Sequence, residues 1–203
     1  MTPERERVLR AVAERIEPGM RVGVDGISAA GKTTFADELA QLVDAPVMRV
    51  SFDDFHRPRA ERRRYPEDAF DAARFRSEVL DAWRSGRVRT RIFDHVHDLP
   101  VDEPPQAVQP GSVLLVDGIC LHTPELRDGF DLTVWLAADR AVALERAIAR
   151  DSAWTENARE RYATRYVPGE TRYLDAVGPE RLADLLVDNT DPARPRLVIH
   201  SDP

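Results

Sequence analysis

Apolar positions recur along this chain with two alternating periods. Val8, Leu9, Val12, Ala13 and Ile16 repeat at helical spacing behind Thr2-Pro3-Glu4, which reads as an N-cap, a first-turn proline and an acidic first turn. Pro18-Gly19 ends that helix. Arg21 to Asp25 then reads as a short strand, followed by a glycine-bearing loop and a helix from about Lys32 to Val43 with Phe35, Leu39 and Leu42 inward. Pro46 to Ser51 predicts a second strand, and the polar stretch from Phe52 to Phe70 predicts irregular structure. Asp71 can cap a helix carrying Phe75, Val79, Leu80 and Trp83 that stops at Ser85-Gly86.

Farther along, Val88 to Phe93 alternates enough for a strand, and proline-rich Asp94 to Pro110 predicts loop. Ser112 to Val116 is a continuous apolar run ahead of Asp117, the pattern of a central parallel strand covered on both faces. Leu132 to Ala137 repeats that pattern and leads into a helix from Asp139 to about Arg150. Asp151 to Tyr166 is charged and poor in core residues, which predicts a mobile lid. A short helix at Pro179 to Leu182, a strand at Leu185 to Asp188 and a terminal strand at Leu197 to His200 complete the chain. The fold expected is a doubly wound α/β structure of mainly parallel strands with helices on both faces, built as one domain over 1–203. Within it, about 52–110 forms a substrate side and about 151–170 an arginine-rich lid.

Composition narrows the partners. A formal charge of −7 argues against non-specific nucleic-acid binding, which needs a basic footprint. No apolar run is long enough to span a bilayer and the N-terminus opens on charged residues, so no membrane partner and a cytoplasmic location are expected. The single cysteine, Cys120, can form no internal disulfide, which fits a reducing compartment. Lys32 is the only lysine, and every other Lys or Arg is arginine. A compact ammonium fits between phosphate oxygens in a tight backbone loop where a planar guanidinium does not.

That lysine belongs to Gly26-Ile27-Ser28-Ala29-Ala30-Gly31-Lys32-Thr33, a phosphate-binding pattern between a predicted strand and a predicted helix. Backbone N–H groups of Gly26, Ser28, Ala29, Ala30 and Gly31 can curl around phosphate oxygens, with Thr34 in the first helical turn. Lys32 bridges the outer phosphates and the Thr33 hydroxyl takes a Mg²⁺ position. The pattern implies ATP and Mg²⁺ as cofactors. Asp117, at the end of an apolar strand, can complete the metal's surroundings, although strand-terminal aspartates also serve as turn residues. Asp53 and Asp54 follow the second strand at the edge where open α/β proteins place ligands, and Asp53 is preferred as the base that accepts the proton of an acceptor hydroxyl.

Arg146 and Arg150 lie one helical turn apart and lead toward Arg159, Arg161 and Arg165, donors suited to stabilising transferred phosphoryl charge. Surface ion pairs with Glu145, Asp151, Glu156 or Glu160 are the competing use. His95 and His97 with Asp94 and Asp98 hint at zinc, but no cysteine pair or further histidine completes a set. Substrate contact is the better use of that loop, with Phe93 as an aromatic wall and Asp94 as a polar anchor; His56 is ambiguous.

From Arg21 to Leu197 the chain resembles the uridine kinase and phosphoribulokinase group of P-loop kinases. The resemblance rests on Gly26 to Thr34, Ser51-Phe52-Asp53-Asp54-Phe55-His56-Arg57, Pro66-Glu67-Asp68-Ala69-Phe70-Asp71, Val113 to Gly118 and Arg146 to Asp151. It implies an ATP-dependent kinase acting on a small-molecule hydroxyl, with Asp53 as base and Arg150 on the nucleotide phosphates. It also implies a substrate side that includes lid residues up to Tyr166, and it raises the prospect of a homo-oligomer. Two places depart from the group. Tyr65 precedes Pro66 where uridine kinases carry an acidic residue shortly before the motif, and Phe93-Asp94-His95 with His97-Asp98 replaces a Tyr-Asp-Phe pattern. The acceptor stays open between a nucleoside such as uridine or cytidine and a non-nucleoside alcohol, which Arg57, Arg59, Arg62, Arg63 and Arg64 would suit if it is anionic. A nucleotide-dependent switch is the reading from another class.

Overall fold

Thr2 caps helix α1 (Pro3–Ala13), its hydroxyl accepting from the Arg5 N–H at 3.3 Å, so the first predicted element starts where its cap residue stands. The computed structural model describes residues 1–198. Strand β1 (Arg21–Asp25) leads through the glycine loop into α2 (Lys32–Ala40), and β2 (Val47–Ser51) follows. Beyond a 3₁₀ turn at Phe52–Phe55, the chain makes an excursion closed at its base by a bridge between His56 and Phe70. A helical stretch then runs from α3 (Ala72–Phe75) through a wide π turn to Ser85, where Gly86 at φ 76° stops it.

The predicted strand at Val88 to Phe93 is corrected to two short pieces, β3 (Arg87–Val88) and β4 (Phe93–Asp94). Their partners, β5 (Leu99–Pro100) and β6 (Gln106–Ala107), come from the stretch expected to be loop. Between them the backbone bonds elsewhere, the Arg89 N–H to Glu78 O and the Ile92 N–H to Asp54 O. Alternation alone cannot reveal that, among the described residues, residues 89–91 have no strand beside them.

Strand β7 (Val113–Gly118) extends past the apolar run to include Asp117, because β1 and β2 flank it and their ladders continue: Ser51 pairs with Asp117 and Asp25 with Gly118. After β8 (Leu132–Ala137) come α4 (Arg140–Asp151), capped by Asp139, then α5 (Ala158–Arg161), a π turn at Tyr162–Tyr166, α6 (Val167–Val177) and α7 (Pro179–Leu182). The stretch expected to be poor in core residues carries two: Ala158 and Tyr162 are buried with Ala147 and Ile148 in a second small cluster. Helix α6 is an element the apolar pattern did not predict. Strands β9 (Leu185–Asp188) and β10 (Arg196–Val198) end the described chain; Ile199 and His200, expected to continue the last strand, lie outside the described residues.

The six-stranded sheet has the order β10-β9-β8-β1-β7-β2, parallel except for β10. Strand order reverses around β1, whose neighbours β7 and β8 both come later in the chain. In open α/β sheets that reversal leaves a crevice outside the carboxyl ends of the strands, and here the loop 26–31 issues directly into it. The central strands are buried along nearly their whole length, as expected of a sheet covered on both faces. This is the P-loop α/β architecture expected.

Candidate active site

Packing and turn geometry both impose glycine on the loop after β1. A Cβ on Gly26 would lie 2.5 Å from the Leu136 carbonyl oxygen, and Gly31 has φ 93° at the mouth of α2. Ala29 also adopts a left-handed φ of 57°, an uncommon and strained choice for a residue with a side chain. Gly26 donates its N–H to Asp25 Oδ1 at 2.7 Å, and buried Ala30 accepts from Asn189 Nδ2 at 2.7 Å. The N–H groups of Ala29, Gly31, Lys32 and Thr33 have no protein partner among the described residues. Unpaired amides at the N-terminus of a helix form an anion cradle.

Lys32 folds back so that Nζ donates to the Ile27 carbonyl at 2.9 Å. Thr33 Oγ1 donates to Asp117 Oδ2 at 2.7 Å, and Arg49 Nη2 donates to Asp117 Oδ1 at 2.8 Å. Asp117 is 3% exposed, so both of its oxygens are held. A hydroxyl and a carboxylate side by side are hard oxygen donors of the kind Mg²⁺ takes beside phosphates, so the residues present fit both the cation and the nucleotide tail. Thr34 lines a separate cavity of 440 Å³ with Gly31, Arg5, Glu38, Asn189 and Pro192.

Asp53 leaves β2 two residues beyond the Ser51–Asp117 pairing, at the carboxyl edge of the sheet. Its backbone carbonyl takes His56 Nδ1 at 2.7 Å, while its exposed carboxylate has no hydrogen-bond or ion-pair partner among the described residues. Asp54 differs: half-buried, 3.3 Å from Arg91, its carboxyl is raised by burial against that arginine's pull. Burial lowers the His56 imidazole, which packs on Phe70 at 4.4 Å and lies 5.3 Å from His95.

Phe93 and Asp94 do not form the open wall and anchor expected from sequence. Phe93 is buried beneath the Arg62 guanidinium at 5.4 Å. Asp94 folds into its own hairpin, accepting from His97 Nδ1 at 2.8 Å and from the N–H groups of Val96 and His97, which hold its carboxyl at about 2.

The arginines divide. Arg146 donates to Thr190 O, tying α4 to the loop after β9. Arg150 pairs with Asp151 at 2.7 Å and touches Tyr162 Oη at 3.2 Å, and that pairing raises its guanidinium. Arg159 pairs with Glu145 on the surface. Arg161 donates to Tyr166 Oη at 2.7 Å and Arg165 to Arg62 O at 2.8 Å, so the lid segment reaches the 57–64 arginines through main chain. Tyr166 meets Tyr65 edge-on at 4.9 Å. The Tyr65 phenol is pushed well up by burial and by the nearby charges of Glu170, Cys120 and Asp53.

Sequence reasoning passed over several groups that converge on the loop. Glu170 Oε1 accepts from the Ser28 N–H at 3.1 Å, and Arg49 holds Asp117. Beneath the loop, Asp25 is fully buried and accepts from Gly26, Cys120, His122 and Tyr173. Only the strand-end position of Asp25 hinted at a role. Glu170 and Tyr173 lie in a stretch with no motif.

Comparison with known proteins agrees with this architecture. The uridine kinase of Saccharomyces cerevisiae is 27% identical over 142 residues, covering 64% of this chain and 28% of the yeast protein. Uridine kinase-like protein 5 of Arabidopsis thaliana is 30% identical over 183 residues, covering 82% of this chain and 38% of its own length. The chain thus spans little more than a third of those curated relatives at most. A solved structure from Bacillus stearothermophilus, described as a possible uridine kinase, superposes with a TM-score of 0.72 at 21% identity, over 90% of this chain and 96% of that one, a likeness of fold. The profile of the Phosphoribulokinase / Uridine kinase family matches residues 21–166, and the chain belongs to that family.

Proposed function

We propose that this protein is an ATP-dependent kinase that transfers the γ-phosphoryl group to a hydroxyl of a small metabolite, with a nucleoside such as uridine or cytidine as the first candidate. In this reading residues 1–203 act as one unit, with about 52–110 receiving the acceptor and about 151–170 closing over it. The observation that carries it is the Thr33–Asp117 contact at 2.7 Å beside the unpaired amides of the loop, with the free Asp53 carboxylate in the turn that follows the neighbouring strand β2. Bound ATP with Mg²⁺ supplies the transferable group and neutralises its charge.

Every other part belongs to the chain. Gly26 to Thr34 cradle the phosphates, Lys32 reaches the outer phosphates from its hold on Ile27 O, and Thr33 with Asp117 holds the cation. Asp53, exposed at the carboxyl edge of the sheet, takes the acceptor's proton. Arg150 turns from Asp151 toward the phosphates, with Arg146 behind it; Arg159, Arg161, Arg165 and Tyr166 approach the acceptor side as the lid closes and excludes water. His56, Phe93 and Asp94 border that side.

A non-nucleoside acceptor is the second reading, favoured by Asp94 being engaged with His97 and by Tyr65 standing before Pro66. An ADP-release assay across uridine, cytidine and a panel of phosphorylated and neutral alcohols decides between them. Strong turnover of the plain nucleosides supports the first. Turnover confined to another alcohol supports the second, and tight ATP binding with no acceptor in the panel would return the switch reading.

A further inference from the structure

Lys32 and Glu170 hold opposite ends of one peptide group. The Ile27 carbonyl accepts from Lys32 Nζ at 2.9 Å, and the N–H of the same peptide, carried by Ser28, donates to Glu170 Oε1 at 3.1 Å. A trans peptide is planar, with its C=O and N–H pointing in opposite directions, so fixing one fixes the other. Glu170 therefore lies across the peptide from the ammonium. Rotation of that peptide would swing the carbonyl away from Lys32.

The helix that delivers Glu170 is itself pinned to the site at several successive positions. Gly169 lies so close to the Tyr65 carbonyl that any Cβ would collide with it. Arg172 donates to Tyr65 O at 2.7 Å and to Glu67 at 3.0 Å. Tyr173, one turn after Glu170, donates to Asp25 Oδ2 at 2.5 Å, and Asp25 Oδ1 accepts from Gly26 N–H. Two side chains of α6 thus grip the loop, one at its first peptide through Asp25 and one at the 27–28 peptide.

Packing does not require a carboxyl at this position. Glu170 is 8% exposed and has no ion-pair partner among the described residues, and the cavity it lines, 160 Å³ between the loop, α4 and α6, is walled mainly by Ile27, Ala143, Leu144, Ala147 and Leu174. A buried carboxyl is costly in such surroundings and an aliphatic side chain is not. What the carboxyl offers is an acceptor for one otherwise unpaired, half-buried amide.

We propose that Glu170 is a positioning residue for Lys32: by holding the Ser28 N–H it sets the plane of the 27–28 peptide, and so presents the carbonyl that aims the ammonium at the phosphate cradle. The placement of Lys32 stands on these contacts alone, while its consequence for ATP rests on the kinase reading above. Because α6 follows the lid segment directly, the brace links the lid to the loop. Glu170 touches neither phosphate nor acceptor in this scheme.

Lys32 being the only lysine gives a direct readout. Protein grown with ¹³Cε,¹⁵Nζ-lysine shows one lysine side-chain signal by NMR, to be compared in wild type, Glu170→Gln and Glu170→Leu without nucleotide. The glutamine keeps a carbonyl oxygen for the Ser28 N–H and should leave the signal near its wild-type position. Leucine should move it toward that of a free lysine, with ATP affinity by calorimetry weakened roughly tenfold, the scale of one hydrogen bond. If leucine unfolds the chain, Glu170→Ala is read in its place. In a Lys32→Ala background the Glu170 change should have no further effect on ATP affinity, since residues acting through one another are not additive.

An unchanged lysine signal in a folded Glu170→Leu or Glu170→Ala protein overturns the proposal. So does an equal displacement in the glutamine variant, or full additivity with Lys32→Ala. Should the signal respond as described while wild type binds no ATP, the brace stands and the nucleotide reading falls.

Discussion

Arg49 and Asp117 form an ion pair at 2.8 Å across neighbouring strands, on the carboxylate oxygen that Thr33 leaves free. The guanidinium also bonds Leu115 O and Asp37, so it is fixed before it meets Asp117. Replacing a residue that orients a metal's ligand typically costs about 10- to 100-fold in affinity or activity.

Replacing Arg49 with Leu should therefore free the Asp117 carboxylate to rotate and raise the Mg²⁺ concentration for half-maximal activity by about tenfold, the lower end of such effects. A Mg²⁺ titration at saturating acceptor checks it. An unaltered Mg²⁺ requirement would mean that Thr33 alone orients Asp117.

Lys32 and Asp53 should separate in kinetics. Lys32→Ala removes the chain's only ammonium at the cradle and should weaken ATP binding and turnover together. Asp53→Asn should leave ATP affinity near wild type while lowering kcat by about 10²- to 10⁴-fold, the range of a lost general base. Equilibrium ATP binding beside single-turnover rates distinguishes them, and a fully active Asp53→Asn enzyme removes that residue from the chemistry.

Tyr173→Phe removes one donor from buried Asp25 and should cost about 1–2 kcal/mol. Burial and the neighbouring Asp25 charge push the Tyr173 phenol far up, so it stays a donor at all working pH values. At this chain length the cost corresponds to a fall in Tm of roughly 2–8 °C. Calorimetry of the two proteins tests it; identical melting would show that the remaining donors from Gly26, Cys120 and His122 satisfy Asp25 by themselves.

Glu170 predicts a pH effect with a definite sign. Burial raises its carboxyl above the ordinary value, and the Ser28 bond with the charges of Lys32 and Arg140 only partly offsets this. The folded state thus holds that proton more tightly than the unfolded chain, so stability from this group is full below about pH 4.3 and is lost as pH rises through the raised value. Glu170→Gln should accordingly be more stable than wild type at pH 7, with the difference closing on acidification toward pH 4. Denaturant titrations at the two pH values test this, and a gap that widens with acid would contradict it.

The strands β1, β8 and β9 and helix α7 lie where the apolar pattern places them, and the Asp139 cap of α4 stands at its predicted start. Each is a local matter of periodicity and capping. Strand β7 outruns its apolar residues because backbone ladders from both neighbours continue beside Asp117 whatever its polarity. Residues 89–92 fail as a strand for the converse reason, the Arg89 and Ile92 N–H groups bonding Glu78 O and Asp54 O outside any sheet. Helix α6 opens on Val167-Pro168-Gly169 and turns Gly169, Glu170 and Tyr173 inward, so no apolar run marks its buried face.

By itself the sequence determined the phosphate cradle and its lysine, because those need particular residue types at fixed spacing within eight residues, and it showed the strand-end carboxylates through the apolar runs that precede them. Tertiary structure alone decided what surrounds them. Arg49 on Asp117, Glu170 on Ser28 and Tyr173 on Asp25 depend on sheet order and helix docking. The bonds to Asp117, Ser28 and Asp25 join residues 68, 142 and 148 positions apart, a separation over which no local pattern constrains which side chains meet.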